Sequence, residues 1–312
     1  MNSYLKRFAG TVIAFIVFII LLASVLLFDK EKHADKNLEK VFPGIKAEEI
    51  ISIRLKSGGS EFVLEKDNDD WVILGGSKKL KADNGAVGDL IKDVKEMEVE
   101  KLVSRDSRKL NDYGIVKSET EFSIKTKTAE YPLIIGDKSP VGSGVYIYDL
   151  GEGRVLIVKD QYLGGFMNRG PGDFRDRKLF NFEKEGVNRI SVKVGGFSAD
   201  LTRGGGKWVE VIKEDRRTAD QKKVRELIDS FSEMKAEGFE DDEPQDLNKY
   251  GLLEPTAGIE FYLDGKGAGV LFGKRKDEES YYIKLNNEAP VYSVSKNYFK
   301  ILPKSSEELL SR

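Results

Sequence analysis

Five acidic residues crowd one short stretch: Glu240, Asp241, Asp242, Glu243 and Asp246. Carboxylate oxygens at this density suit a hard cation such as calcium. A calcium loop, however, alternates its ligands and turns on a central glycine. This stretch does neither, so a solvated acidic loop is expected. His33 is the sole histidine and there is no cysteine. Ser-His-Asp and Cys-His nucleophiles are thereby excluded, as are zinc sites of the usual His/Cys type. A pair of carboxylates suffices for glycoside cleavage, but no spacing singles out a pair among so many acids. Gly204-Gly205-Gly206 invites comparison with a phosphate-binding loop. No Gly-Lys-Ser/Thr run accompanies it, since Gly273-Lys274 is followed by Arg275. No catalytic, cofactor-binding or metal residue is assigned.

A second chemistry-bearing stretch lies at residues 164–186. Arg169, Phe174, Arg175, Asp176 and Arg177 could present guanidinium groups and a ring to a partner protein or an anionic headgroup. The blander reading is a connector in which Phe174 packs and Arg175 and Asp176 pair locally. Connectors of this composition are common, and the blander reading is preferred.

The elements that would position these residues occur twice. Trp71 matches Trp208, Asp83 matches Asp220, Tyr113-Gly114 matches Tyr250-Gly251, and Gly136 matches Gly273, all 137 positions apart. A constant offset over scattered landmarks marks a duplicated structural unit. Each copy opens with period-two alternation (Ile51, Ile53, Leu55; Ile190, Val192, Val194), as a half-buried strand does. Polar turns follow. One is Asp67-Asn68-Asp69 in the first copy and Gly204-Gly205-Gly206 in the second, so the glycines are expected to form a hairpin turn. Asp83 and Asp220 precede helical stripes, Val87-Leu90-Ile91-Val94-Met97 and Val224-Leu227-Ile228-Phe231-Met234. Both are expected to be N-caps rather than catalytic acids. A polar connection then leads to Leu-x-x-Tyr-Gly and about four further strands. The residues at 164–186 have no counterpart by this alignment.

Phe8 to Phe28 carries no charge and is preceded by Lys6 and Arg7. At about 1.5 Å per residue such a run matches a bilayer core of about 30 Å, and its basic flank places the N-terminus in the cytoplasm. A cleaved signal peptide would be shorter and would end in small residues, whereas Val25, Leu26, Leu27 and Phe28 are bulky. Charged residues make up 33% of the chain at a net charge of -2, which speaks against a nucleic-acid partner.

The Trp after a polar turn, the Ala-Asp before the helix, Asp246-Leu247-x-x-Tyr250-Gly251-Leu252-x-Glu254-Pro255 and Phe174-Arg175-Asp176 together resemble the bacterial domain-of-unknown-function 4340 family. The resemblance covers most of 41–299. The first copy departs from it, with Ile115, Val116, Lys117 and Ser118 where the second has Leu252, Leu253, Glu254 and Pro255. The resemblance implies a membrane-anchored protein, often associated with ABC-type or gliding-motility-like transporter components. It transfers no catalytic residue.

The expected fold is α+β: an N-terminal transmembrane helix followed by two tandem repeats, each a mainly antiparallel sheet with one long helix. The expected divisions are a cytoplasmic N-terminus (1–7), an anchor (8–28), a charged juxtamembrane linker (29–48), a first repeat domain (49–163), a Gly/Arg-rich connector (164–186), a second repeat domain (187–302) and a polar tail (303–312). The expected function is a non-enzymatic scaffold, single-pass in the bacterial cytoplasmic membrane, with extracytoplasmic domains serving an envelope transporter. The alternatives are a polysaccharide- or peptidoglycan-acting enzyme using carboxylates, or a module binding a glycan or small ligand. No cofactor is expected.

Overall fold

The computed structural model describes residues 39–310, apart from 76, 77, 141, 166 and 214. The apolar run at 8–28 and His33 lie outside the described residues. No helix among the described residues is long and apolar enough to cross a membrane. The chain forms two compact units that divide after Phe174.

The first unit contains β1 (Ile50–Ser57), β2 (Ser60–Asp67), β3 (Asp70–Gly75), β4 (Lys78–Lys81), α1 (Asn84–Glu96), β5 (Val99–Ser104), β6 (Thr120–Thr126), β7 (Glu130–Lys138), β8 (Gly144–Asp149) and β9 (Arg154–Lys159). Its nine strands form one antiparallel sheet in the order β4-β3-β2-β1-β6-β7-β8-β9-β5. The short turns explain this meander. Asn68, between β2 and β3, has φ 55°, which an Asn tolerates without a large penalty. α1 connects the two edge strands, β4 and β5. Its buried stripe of Val87, Leu90, Ile91 and Val94 joins one apolar core with Ile53, Leu64, Phe122 and Leu156. Each such side chain contributes about 1.5–3 kcal/mol of burial.

The second unit repeats the plan. It comprises β10 (Val187–Val194), β11 (Phe197–Gly204), β12 (Lys207–Ile212), β13 (Asp215–Thr218), α2 (Gln221–Ser232), β14 (Gly238–Asp241), β15 (Ala257–Leu263), β16 (Lys266–Arg275), β17 (Ser280–Leu285) and β18 (Val291–Ser295). Its sheet order, β13-β12-β11-β10-β15-β16-β17-β18-β14, is that of the first unit position for position. Gly205 and Gly206 form the β11–β12 hairpin at φ 58° and 80°. Two short helices, α3 (Lys296–Lys300) and α4 (Ser306–Leu309), follow.

Three expectations need correction. Each unit has nine strands, four before its helix and five after it, where about four were expected to follow. The additional ones are edge strands (β4 and β5, β13 and β14) whose charged residues blur the period-two signal. Ile51 is only half-buried while Ile50 is fully enclosed, because a bulge between Ile50 and Ser52 shifts the alternation. The polar tail contributes to the second core: Leu309 is 1% exposed.

Candidate functional site

The shared landmarks tie the helix to the sheet. The Asp83 carboxylate accepts from the backbone N–H groups of Gly85 (2.8 Å) and Ala86 (3.2 Å), and Asp220 accepts from Lys222 (2.9 Å) and Lys223 (3.3 Å). Both are N-caps, satisfying donors that the first helical turn leaves open. The next residue reaches back to the tryptophan. The Trp71 N–H donates to Asn84 Oδ1 (2.9 Å), and the Trp208 N–H donates to Gln221 Oε1 (2.8 Å). The carbonyls of Trp71 and Trp208 accept from Ala82 and Ala219, both at 3.0 Å.

The Tyr-Gly turns dock on the paired glycines. Gly114 and Gly251 take φ 71° and 67°, and the residues after them, Ile115 and Leu252, are each 4% exposed. The tyrosine carbonyl rests where a side chain would be: a Cβ on Gly136 would lie 2.2 Å from Tyr113 O, and one on Gly273 would lie 2.1 Å from Tyr250 O. Bulges in β7 and β16 fall at these two glycines. The first copy's departure from the motif therefore leaves its turn unchanged. Tyr250 Oη also donates to Asp241 at 2.8 Å. Burial and that bond push its phenol pKa up.

The residues at 164–186 divide between the units. Phe174 is fully enclosed in the first core, 5.7 Å from the Phe62 ring, with the half-buried Arg169 guanidinium 5.7 Å from its own ring. Arg175 is buried in the second unit. It pairs with Asp242 at 2.8 Å and lies 3.8 Å over the Phe239 ring. Its carboxylate partner is thus Asp242, which follows β14 in the sequence, and not the adjacent Asp176. Asp176 accepts from the Lys178 N–H (3.0 Å). Arg177 is exposed and donates to the Glu237 carbonyl (2.8 Å).

This stretch also has a repeat counterpart after all. Phe174 O accepts from the Asp83 N–H at 2.7 Å, and Leu309 O accepts from Asp220 at 2.7 Å. The Val99 N–H donates to Glu39 O and the Ala236 N–H to Arg177 O, both at 2.8 Å. The first part of the stretch therefore corresponds to the end of the second unit, and its last part corresponds to the start of the first. Backbone atoms carry this equivalence, so dissimilar side chains hide it.

The acidic stretch is not one loop. Glu240 and Asp241 lie in β14, where Glu240 accepts from Lys276 (2.6 Å) and Ser293 (2.7 Å). Asp246 accepts from the Asn248 N–H at 2.8 Å. Among the described residues no three His, Asp or Glu side chains are grouped to hold a metal. One carboxyl, Asp93 on α1, is held above its usual pKa, first by burial and then by Asp89 and Glu96. Sequence reading missed one group altogether. Glu210, 1% exposed, faces the second core with one oxygen bonded to Ser306 (2.7 Å) and the other without a partner. Its alternation with Trp208 along β12 was the available signal.

Two copies of a nine-stranded antiparallel sheet, each with one helix joining its edges, define a tandem-repeat protein whose shared residues serve the fold. The chain belongs to the family described as Domain of unknown function (DUF4340), which matches residues 71–240 and 211–312. No curated protein and no solved structure matches it.

Proposed function

We propose that this chain is a non-enzymatic scaffold of the bacterial envelope, anchored in the cytoplasmic membrane by residues 8–28 and serving an ABC-type transporter complex. The carrying observation is that the landmarks common to both copies act as caps, turns and docking contacts within each unit. Shared residues that build a fold leave recognition to the surfaces, and a β-rich module offers edges and exposed cations for it. The apolar run at 8–28, with Lys6 and Arg7 before it, supports the membrane address. Arg177 is the exposed member of the arginine stretch and the first candidate for contact.

The test is co-purification of the full chain from gently solubilised membranes, with partners identified by mass spectrometry. Permease or ATPase subunits of one transporter should be recovered reproducibly, and Arg177→Ala together with Arg169→Ala should reduce their yield. Recovery of the chain alone in repeated preparations would refute the scaffold reading.

A further inference from the structure

The chain enters the first unit at a defined place. The Val41 N–H donates to Met97 O (3.0 Å), the Val99 N–H donates to Glu39 O (2.8 Å), and Lys40 bridges Glu98 in antiparallel fashion. Read backwards, the chain at Glu39 therefore heads along β5 from Val99 towards Ser104. The Glu39 carboxylate meets Arg154 at 2.6 Å, and Arg154 also holds Asp149 at 3.0 Å. Asp149 and Arg154 pair at the end of the β8–β9 hairpin. Arg105, just past β5, donates to Glu152 O in the hairpin turn at 3.4 Å. The entry point is thus one corner of the sheet, made by the far half of β5 and the β8–β9 turn.

Two leucines stand exposed at this corner, Leu102 on β5 (48%) and Leu150 in the turn (43%). The second unit has no such pair. Leu102 lies opposite Leu156 on β9, as Phe239 lies opposite Tyr292 on β18. Phe239 is half-buried and covered by the Arg175 guanidinium. The Leu150 N–H donates to Pro132 O (3.2 Å), as the Asn286 N–H donates to Gly269 O (3.0 Å), so Asn286 stands where Leu150 does. Val116, also exposed in the first unit, differs from these two, because its counterpart Leu253 is exposed as well. A fold common to both units does not account for Leu102 and Leu150.

What sets the first unit apart is its closeness to the apolar run. Ten residues, 29–38, separate Phe28 from Glu39. Fully extended, they span about 35 Å at most. The chain direction at Glu39 turns this corner towards the run. Charge does not choose the surface it meets, since exposed Lys101 and Arg105 are balanced by exposed Glu100 and Glu152. What the corner offers is apolar area, the kind of surface that marks contact with a membrane or a partner. The long stems of Lys101 and Arg105 let their charges stay in the headgroup layer.

We propose that this corner of the first unit rests on the extracytoplasmic surface of the bilayer, with Leu102 and Leu150 in the layer between headgroups and acyl chains. The proposal rests on the membrane address given to residues 8–28. With no charge excess at the corner, zwitterionic lipid suffices.

The chain has no cysteine, so a single introduced cysteine can be labelled without background. Full-length Leu102→Cys, Leu150→Cys, Ser143→Cys and Ala14→Cys variants are labelled with an environment-sensitive fluorophore and placed in phosphatidylcholine nanodiscs. Part of the lipid carries a nitroxide on the upper acyl chain. Labels at 102 and 150 should lose emission to the lipid nitroxide and be shielded from a water-soluble quencher. The label at 143, exposed at the other end of β8, should show the reverse. Lipid quenching at either 102 or 150 no greater than at 143 would overturn the proposal. So would blue-shifted emission that the lipid nitroxide leaves intact, since that means cover by protein. The label at 14 reads the anchor separately. Quenching there without quenching at 102 and 150 refutes the corner alone, whereas no quenching at 14 refutes the membrane address and this proposal with it.

Discussion

Gly273→Ala, at the bulge in β16, should destabilise the second unit more than a methyl added to any glycine of its hairpin turns. The new Cβ would sit 2.1 Å from the Tyr250 carbonyl oxygen and 3.0 Å from Leu252 Cγ. The carbonyl cannot swing aside, because Gly251 holds the turn at φ 67° and the Leu252 N–H is bonded to Leu247 O at 3.0 Å. Either the turn lifts, exposing Tyr250 and Leu252, or the bulge in β16 flattens. Overpacking of this kind costs about 1–3 kcal/mol, and partial exposure of two buried side chains places this case near the upper end, about 3 kcal/mol. A domain is stable by about 5–15 kcal/mol, so the loss is readily measured. The chain's two tryptophans, Trp71 and Trp208, fall one in each unit. In a Trp71→Phe background, Trp208 fluorescence reports the second unit alone during urea unfolding. With a slope of about 1–3 kcal/mol per molar, the midpoint should fall by about 1–3 M relative to that background. Gly205→Ala is the control. Open space surrounds that Cβ, and only φ 58° opposes it, at about 1–2 kcal/mol. If Gly273→Ala costs no more than Gly205→Ala, the Tyr250 carbonyl is not seated on Gly273 and the account of the paired landmarks fails.

Asp220→Ala should lower the same transition by about 1 kcal/mol, and Asp220→Asn should recover most of it, because amide and carboxylate oxygens cap equally well; an Ala variant as stable as the parent would argue against the cap. Glu210→Ile combined with Ser306→Ala should raise thermal stability by about 1–3 kcal/mol, since it removes a buried carboxylate with one unpartnered oxygen; a lower melting temperature would show that the carboxylate is satisfied. Tyr292 is pushed above the usual phenol range, first by burial and then by Glu288. Above about pH 10 the unfolded chain sheds this proton while the folded one keeps it, so the contribution, complete below pH 10, is lost as pH rises, by about 1.4 kcal/mol per pH unit. Urea melts between pH 9 and 11 (values set by the phenol range) should show a shallower decline for Tyr292→Phe, and parallel declines would exclude the tyrosine as the cause.

What could be read from the sequence was whatever rests on side chains with one local job. Asp83 and Asp220 were legible as caps because a short carboxylate before an apolar stripe has few other uses. Asn68 and Gly205 were legible as turn residues because both tolerate positive φ. The edge strands β4 and β13 were not, since Lys78–Lys81 and Asp215–Thr218 pair on one side only and need no alternating apolar face. Gly136 and Gly273 were visible as landmarks without a reason. Their role is to admit a carbonyl from Tyr113 or Tyr250, a contact across the sheet that no local pattern encodes. The stretch at 164–186 was misread as unduplicated because Phe174 and Leu309 share a backbone bond and little else.

Two copies under the same folding constraints act as controls for each other. Where they agree, at the tryptophans, caps and Tyr-Gly turns, the residues hold the sheet and helix together. Where they differ in cost, the difference calls for another cause. Ile73 in the first unit is fully enclosed and apolar, while its counterpart Glu210 buries a half-satisfied carboxylate. Gly165 lets the first closing segment pack on its helix, while its counterpart Ile301 stands 42% exposed. Both departures forgo stability that the first unit shows to be available. Both also involve one element, the segment after β18, through Ser306 on Glu210 and through the exposed Ile301. The segment after β18 is therefore where the second unit leaves a buried oxygen unpartnered and an isoleucine exposed.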